Sequence, residues 1–435
     1  MNYTDLELLA QESPVVRENG KILLPFSLTA VKVLGPIKCE LDLRTLRQLK
    51  DAATAPEATW KEASALGEAL SSVLLPAAIF NVISDRINIA TAQNKGLRIR
   101  LILSGAELNN VPWEFLLFNR AGGESKASDF LCLMPNVSLV RHPASTLPEW
   151  GVEATSTVKV TIAAAGPAHW PKLKVSEEVA LIKKALEGNS QVSISTVEHA
   201  QRTGMPDKTH PAHIFHFAGH GKFERRQSAT PGAYEGTSSL ILENEYGEED
   251  VLDAGILALQ LREAGVRVAV LGACQTAQRD DINSWSSVAE SLLKAELGAV
   301  VGMQFPVRDD SATAFAEHFY GALALGLSID EAVSAGRIAL ATLDDARGWA
   351  NPSLYLRADN GVIFPDIAAD PQLATARQQA VLKVVQQFKT VRGIVRAGTI
   401  EGIAIGANVT IEQTAEEVAE GGVVEGPTVG KIGFD

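Results

Sequence analysis

Residues 212–221 read Ala-His-Ile-Phe-His-Phe-Ala-Gly-His-Gly, and residues 268–276 read Val-Ala-Val-Leu-Gly-Ala-Cys-Gln-Thr: two short apolar runs, each ending in small residues and one reactive side chain. Runs this short and this apolar fit strands buried on both faces, as the central strands of a helix-covered parallel sheet are. The stretches 158–165, 266–271 and 299–305 have the same character, and 192–198 is β-prone as well. Between them, Val179, Ile182 and Leu186 recur at helical spacing within 176–187, and further helices are expected near 253–264, 286–297, 311–325 and 328–343. Strand alternating with helix predicts an α/β/α sandwich with a mostly parallel sheet. Two helix starts carry the capping-box pattern, Ser287-Val288-Ala289-Glu290 and Ser328-Ile329-Asp330-Glu331, and Gly298 is expected to close the first of these helices.

Working outward, the chain divides into three. Residues 1–154 are expected to form a mixed α/β region, with a helix over 60–74, a half-buried strand over 97–103 and a break at Pro112. Residues 155–366 carry the strand–helix alternation. Residues 367–435 begin with Leu373, Ala376, Ala380, Val384 and Phe388 at helical spacing and end in glycine-spaced β-prone runs, 398–406 and 422–430. Such a tail is too short for a core of its own, so it is expected to pair with itself, another chain or the main body.

Composition narrows the classes. With 435 residues, 46% hydrophobic and 21% charged, the chain can bury a sizeable core, which excludes a small disulfide scaffold and wholesale disorder. Thirty-nine basic against 52 acidic side chains give a net charge of −13, which repels a polyanion, so no nucleic acid is expected as partner. Cys39, Cys132 and Cys274 are too scattered for a disulfide framework or a zinc ribbon and read as free thiols in a reducing compartment. The N-terminus lacks the basic and apolar regions of a secretory signal, and no run of about 18 uncharged apolar residues occurs. The expectation is a cytoplasmic protein with no membrane partner.

The chemistry sits at the ends of the two runs quoted first. Open parallel sheets place their sites beyond the carboxyl ends of the strands, so neighbouring strands would bring His220 and Cys274 to one crevice. An imidazole beside a thiol makes a nucleophile with its base, since the thiolate is the attacking species. Gly219 and Gly221, without Cβ atoms, let backbone come close to a substrate, and the amides of Gly221 and Cys274 could converge on a developing oxyanion. The histidines 210, 213, 216 and 220 do not make a zinc site, because His213 and His216 have opposite parity along a strand; no metal is expected, and His216 reads as a core histidine that hydrogen-bonds under the site. Residues 426–430 fall one short of a phosphate-loop spacing, and no Gly-x-Ser-x-Gly elbow is present.

The run 213–221, then Leu240-Ile241-Leu242-Glu243, then Leu-Gly-Ala-Cys-Gln-Thr-Ala at 271–277 resemble the CHAT family of caspase-like and separase-like cysteine peptidases. More of the pattern follows in order: 300–307 with Asp309, Phe315-Ala316, Phe319-Tyr320, Trp349-Ala350-Asn351-Pro352 and Leu354-Tyr355-Leu356-Arg357, with Pro112-Trp113-Glu114 and Val137-Ser138-Leu139-Val140-Arg141 upstream. The resemblance covers about residues 60–365. It implies a caspase-like sandwich, with the CHAT domain starting near residue 60 and 155–366 as its catalytic domain, and a peptide-bond hydrolase with His220 as general base and Cys274 as nucleophile. It implies Gly221 as an oxyanion amide, no cofactor, and a specific protein as substrate. Members often act in bacterial defence or regulated cell death, cutting a gasdermin or a regulator. Two departures stand out. Arginine-specific relatives carry an acidic residue two positions before the cysteine, where this chain has Gly272; Arg308, Asp309 and Asp310 past the next strand could shape the substrate pocket instead. The stretch 278–285 is also too short for a long cleavable linker, so maturation into two chains is not expected. The alternative is a non-catalytic caspase-like scaffold whose C-terminal tail recruits partners; in either case the tail is a candidate docking segment for a sensor or adaptor protein.

Overall fold

Twelve strands join in one sheet that spans the molecule, in a computed structural model that describes residues 2–119, 125–142, 155, 157–187, 189–227, 234–272, 284–305, 308–343, 346–365, 367, 372, 375, 376 and 378–380. The chain opens with β1 (Tyr3–Glu12), β2 (Val16–Glu18), β3 (Lys21–Ala30) and β4 (Leu34–Asp42), then α1 (Leu43–Thr54), α2 (Trp60–Leu74) and α3 (Ala77–Ala92). Next come β5 (Gly96–Ser104), the short α4 (Ala106–Asn110), β6 (Val137–His142), β7 (Val158–Ala164), α5 (Val175–Leu186), β8 (Val192–Val197) and β9 (Ile214–Ala218). A separate three-stranded sheet is formed by β10 (His220–Gln227), β11 (Tyr234–Glu243) and β12 (Glu249–Asp253). The chain then returns through α6 (Ala254–Glu263), β13 (Val268–Leu271), α7 (Ser284–Lys294), β14 (Ala299–Met303), α8 (Asp309–Ala324), α9 (Ile329–Thr342) and β15 (Pro352–Leu356).

The order across the main sheet is β2-β3-β1-β5-β6-β15-β14-β13-β9-β7-β8, with β4 added to β3. From β1 to β8 every pairing is parallel except β14 with β15, which run antiparallel. Strand alternation sends Ile214, Val268, Val270 and Val301 to one face, against α5, α8 and α9, and Phe215, Phe217, Ala269, Leu271 and Val300 to the other, against α6 and α7. This is the mostly parallel α/β/α sandwich expected from the sequence.

Local expectations fare unevenly. The Ser328 capping box is present, with the hydroxyl accepting from the Glu331 amide and the carboxylate accepting from the Ser328 amide. A second box, unread in the sequence, starts α2: Thr59 with Glu62. The Ser287 match fails, because α7 begins at Ser284 and Ser287 lies inside the helix. Gly298 does not close that helix either; the left-handed residue after it is Glu296 (φ 74°), and Gly298 immediately precedes β14, its amide bonded to Arg267 O. The strand over 97–103 is not half-buried: Arg98 and Arg100 are 1% and 3% exposed. Arg98 makes a two-pronged pair with Asp330 at 2.8 and 2.7 Å, and Arg100 bonds Asp5 at 2.8 Å and the carbonyls of Ala358 and Asp359.

Among the described residues no single helix is long and apolar enough to cross a membrane. The pair α2 and α3 passes the length and composition test only jointly, is bent by 100°, and turns Leu66, Leu70, Leu74, Ile79 and Ile83 into the core. The tail runs at 398–406 and 422–430, most of the helix expected after residue 372, and Cys274 lie outside the described residues.

Candidate active site

β9 and β13 are neighbours in parallel register, with Phe217 opposite Leu271, and the Gly272 amide extends the ladder to Phe217 O at 2.9 Å. In the sequence, His220 and Cys274 each lie three residues beyond that registered pair, past the ends of β9 and β13, strands that parallel pairing holds about 5 Å apart. His220 opens β10 opposite Ile241 instead of sitting in a turn, and Gly221 follows it, buried, opposite Leu240. Gly219, between β9 and β10, is needed for packing: a Cβ there would stand 2.7 Å from the Phe217 ring and 2.9 Å from Ala165 O.

The imidazole of His220 is fully buried. Its Nε2 bonds the Pro171 carbonyl at 2.9 Å, and the Trp170 ring lies over it with centroids 4.9 Å apart. A carbonyl only accepts, so Nε2 carries the hydrogen and Nδ1 is the basic nitrogen. The strap that supplies both residues leaves the end of β7 and is moored at four points. Ala165 N donates to Ala218 O at 3.0 Å, Gly166 N to Glu243 Oε1 at 2.7 Å, Ala168 N to Gly247 O at 3.0 Å, and Trp170 Nε1 to Glu249 Oε2 at 3.1 Å. Glu243 also meets His199 Nδ1 at 2.9 Å. Sequence reasoning missed the strap: a main-chain carbonyl leaves no trace in residue type, and Pro171 is 49 positions from the histidine it holds.

Beneath the ends of β9 and β13, on the α5 and α8 face, lies a buried row. His216 Nδ1 meets the Tyr320 hydroxyl at 3.0 Å, and His216 Nε2 meets Glu178 Oε1 at 3.1 Å. This is the hydrogen-bonded core histidine expected under the site. Burial, and then the Glu178 carboxylate, push the Tyr320 phenol well above its usual range. Gly272 sits directly on the row: a Cβ at 272 would lie 3.1 Å from Glu178 Oε1 and 3.6 Å from His216 Nε2. Glu178, from the first turn of α5, had no signal in the sequence beyond acidity at a helix start.

The other pocket candidates are placed as follows. Arg308 precedes α8 and is tied to Asp310 at 3.1 and 2.7 Å, both side chains about half exposed, so the two charges offset each other. The Asp309 side chain lies outside the described residues. Of the other thiols, Cys132 is buried, which pushes it up to about 12, and half-buried Cys39, on the edge strand β4, is likewise raised by burial. Neither is suited to act as a thiolate near neutral pH. Among the described residues, no three His, Cys, Asp or Glu side chains gather as metal ligands.

The CHAT domain model matches residues 45–372, and the chain belongs to the CHAT-domain family. A comparison with curated protein sequences finds no match. Among solved structures, similarity is found to the Saccharomyces cerevisiae separase–securin complex at 3.0 Å, with TM-score 0.36 and 15% identity over 65% of this chain and 17% of that one. The same complex at 2.6 Å gives TM-score 0.40 and 11% identity over 80% and 30%. The Arg specific cysteine proteinase gingipain R gives 0.39 and 9% over 74% and 75%. The chain thus spans less than a third of the separase chains it matches.

Proposed function

We propose that the protein is a cysteine endopeptidase in which His220 is the general base and Cys274 the nucleophile. What supports this reading is the registered Phe217–Leu271 pair, beyond which His220 and Cys274 each follow by three residues in the sequence, together with the carbonyl that fixes the His220 tautomer. Nδ1 takes the Sγ proton, and the thiolate attacks the scissile carbonyl carbon to form a C–S bond. The amides of Gly221 and Cys274 hold the oxyanion. As the C–N bond breaks, the imidazolium returns its proton to the leaving amine. Water then adds to the thioester, giving up a proton to Nδ1; the C–S bond breaks, the acid departs and the thiol is restored.

Limited cleavage of a specific protein, in a defence or regulated cell-death setting, is the use that the family resemblance suggests, with the C-terminal tail as docking segment. Residues 155–366 would supply the peptidase body, and 1–154 and 367–435 its flanking parts. The test is a peptide library incubated with the full-length protein. Cleavage is expected, and Cys274→Ala or His220→Ala abolishes it; cleavage unchanged in both variants refutes the assignment. A scaffold would instead keep its biological effect in Cys274→Ala and lose it on deletion of 390–435.

A further inference from the structure

Glu178 is 8% exposed, yet it has no guanidinium or ammonium partner among the described residues; the basic group within reach is His216, at 3.1 Å. A carboxylate accepts, so His216 Nε2 is the donor, and the ring's other nitrogen meets the buried Tyr320 hydroxyl. The Glu178 carboxylate therefore has an imidazole, and no permanently charged group, as its partner among the described residues. The N-terminus of α5 offsets a fraction of its charge. Glu178 Oε2 carries no hydrogen bond among the described residues, and it is not sealed from solvent as the orphaned buried polar atoms are.

The carboxylate's location gives this significance. It lies against Gly272, two positions before Cys274, on the face of β13 where a side chain at 272 would cover it. Glycine at 272 puts no side chain of its own over it. A nearly buried carboxylate with one oxygen unbonded among the described residues attracts a cation that arrives with the substrate, because a charge-assisted bond is stronger where water is scarce. We propose that Glu178 floors the pocket next to the scissile bond and selects substrates with arginine or lysine on the N-terminal side of that bond. This rests on the peptidase reading above and adds a substrate class to it.

The experiment has two arms, both on the full-length protein. In the first, peptides differing only at the residue before the scissile bond (Arg, Lys, citrulline or Met) are compared for kcat/KM. The basic peptides are expected to be cut at least about tenfold faster than the neutral ones. Glu178→Gln, which keeps an acceptor for His216 and removes the charge, brings the four to within about twofold mainly by slowing the basic pair. Cleavage that depends on Cys274 but shows no basic preference, or a preference that survives Glu178→Gln, overturns the proposal and leaves the peptidase reading standing. In the second arm, p-aminobenzamidine is titrated into Cys274→Ala and into Cys274→Ala with Glu178→Gln. Binding weaker by at least about tenfold in the double variant supports the site; equal binding, or none to either, overturns it. Charge-dependent binding without any peptide cleavage overturns the peptidase reading and keeps the cation site.

Discussion

Glu114 and Asp330, in the half of the molecule built around β5 and β6, each face a guanidinium, whereas Glu178, beneath the ends of β9 and β13, faces an imidazole. Arg141 grips Glu114 at 3.0 and 2.7 Å, and Ser353 Oγ and Gln304 Nε2 donate to the same carboxylate at 2.7 and 2.8 Å. Arg98 holds Asp330 in the same two-pronged way, and Ser138 Oγ adds a bond at 2.7 Å. Carboxylates that serve the fold are fully matched in charge and hydrogen bonds, as burial demands. Glu178 has an imidazole where these have a guanidinium, and the contrast distinguishes the structural acids from the one proposed to recognise substrate.

The largest way to break this contrast is on the matched side. Arg141→Leu leaves Glu114 buried without its cation and is expected to cost about 3–5 kcal/mol, read as a lower midpoint in urea unfolding. The pair also predicts the acid limb of stability. Burial alone would raise the Glu114 carboxyl, but Arg141, its hydrogen bonds and Arg337 outweigh burial and hold it below its usual 4.5. The depressed folded value means that this contribution is complete above 4.5 and is lost as pH falls through the folded value; Glu114→Gln should flatten that limb of the stability profile. Next in size is Gly361→Ala. Gly361 has φ +68°, and a Cβ there would stand 2.1 Å from Asp330 Oδ2 and 2.8 Å from Arg98 Nη2, so about 2–3 kcal/mol is expected, with a thermal shift as readout. Smallest is Glu178→Gln, whose stability should change by less than about 1 kcal/mol, since it keeps an acceptor for His216 and breaks no pair with a guanidinium. A loss as large as that of Arg141→Leu would place Glu178 among the structural acids.

What the sequence revealed divides along physical lines. Periodicity is local, so the buried strands around 214–218, 268–271 and 299–303 and the helix over 60–74 were legible within a few residues. So was Ser328 as a cap, because its glutamate is three positions away. Ser287 carried the same pattern and was misread, since a capping match says nothing about whether the helix has already begun. Arg98 and Arg100 looked like the polar side of a half-buried strand. Their partners lie as far as 261 positions away, so nothing nearby signalled that they would be buried. The candidate site shows the same split: His220 and Gly272 were visible as residue types at strand ends, whereas the Pro171 carbonyl and the Glu178 carboxylate come from the β7–α5 segment and join only through the sheet order.

β15 lies between β6 and β14 and is, among the described residues, the last strand of the sheet in chain order. During synthesis, therefore, two partial sheets wait with exposed edges until residues 352–356 have left the ribosome, and the joining step is among the longest-range pairings in the molecule, Arg141 with Tyr355. Premature termination before residue 352 leaves both edges unpaired, which makes such fragments prone to aggregate and exposes them to cellular quality control.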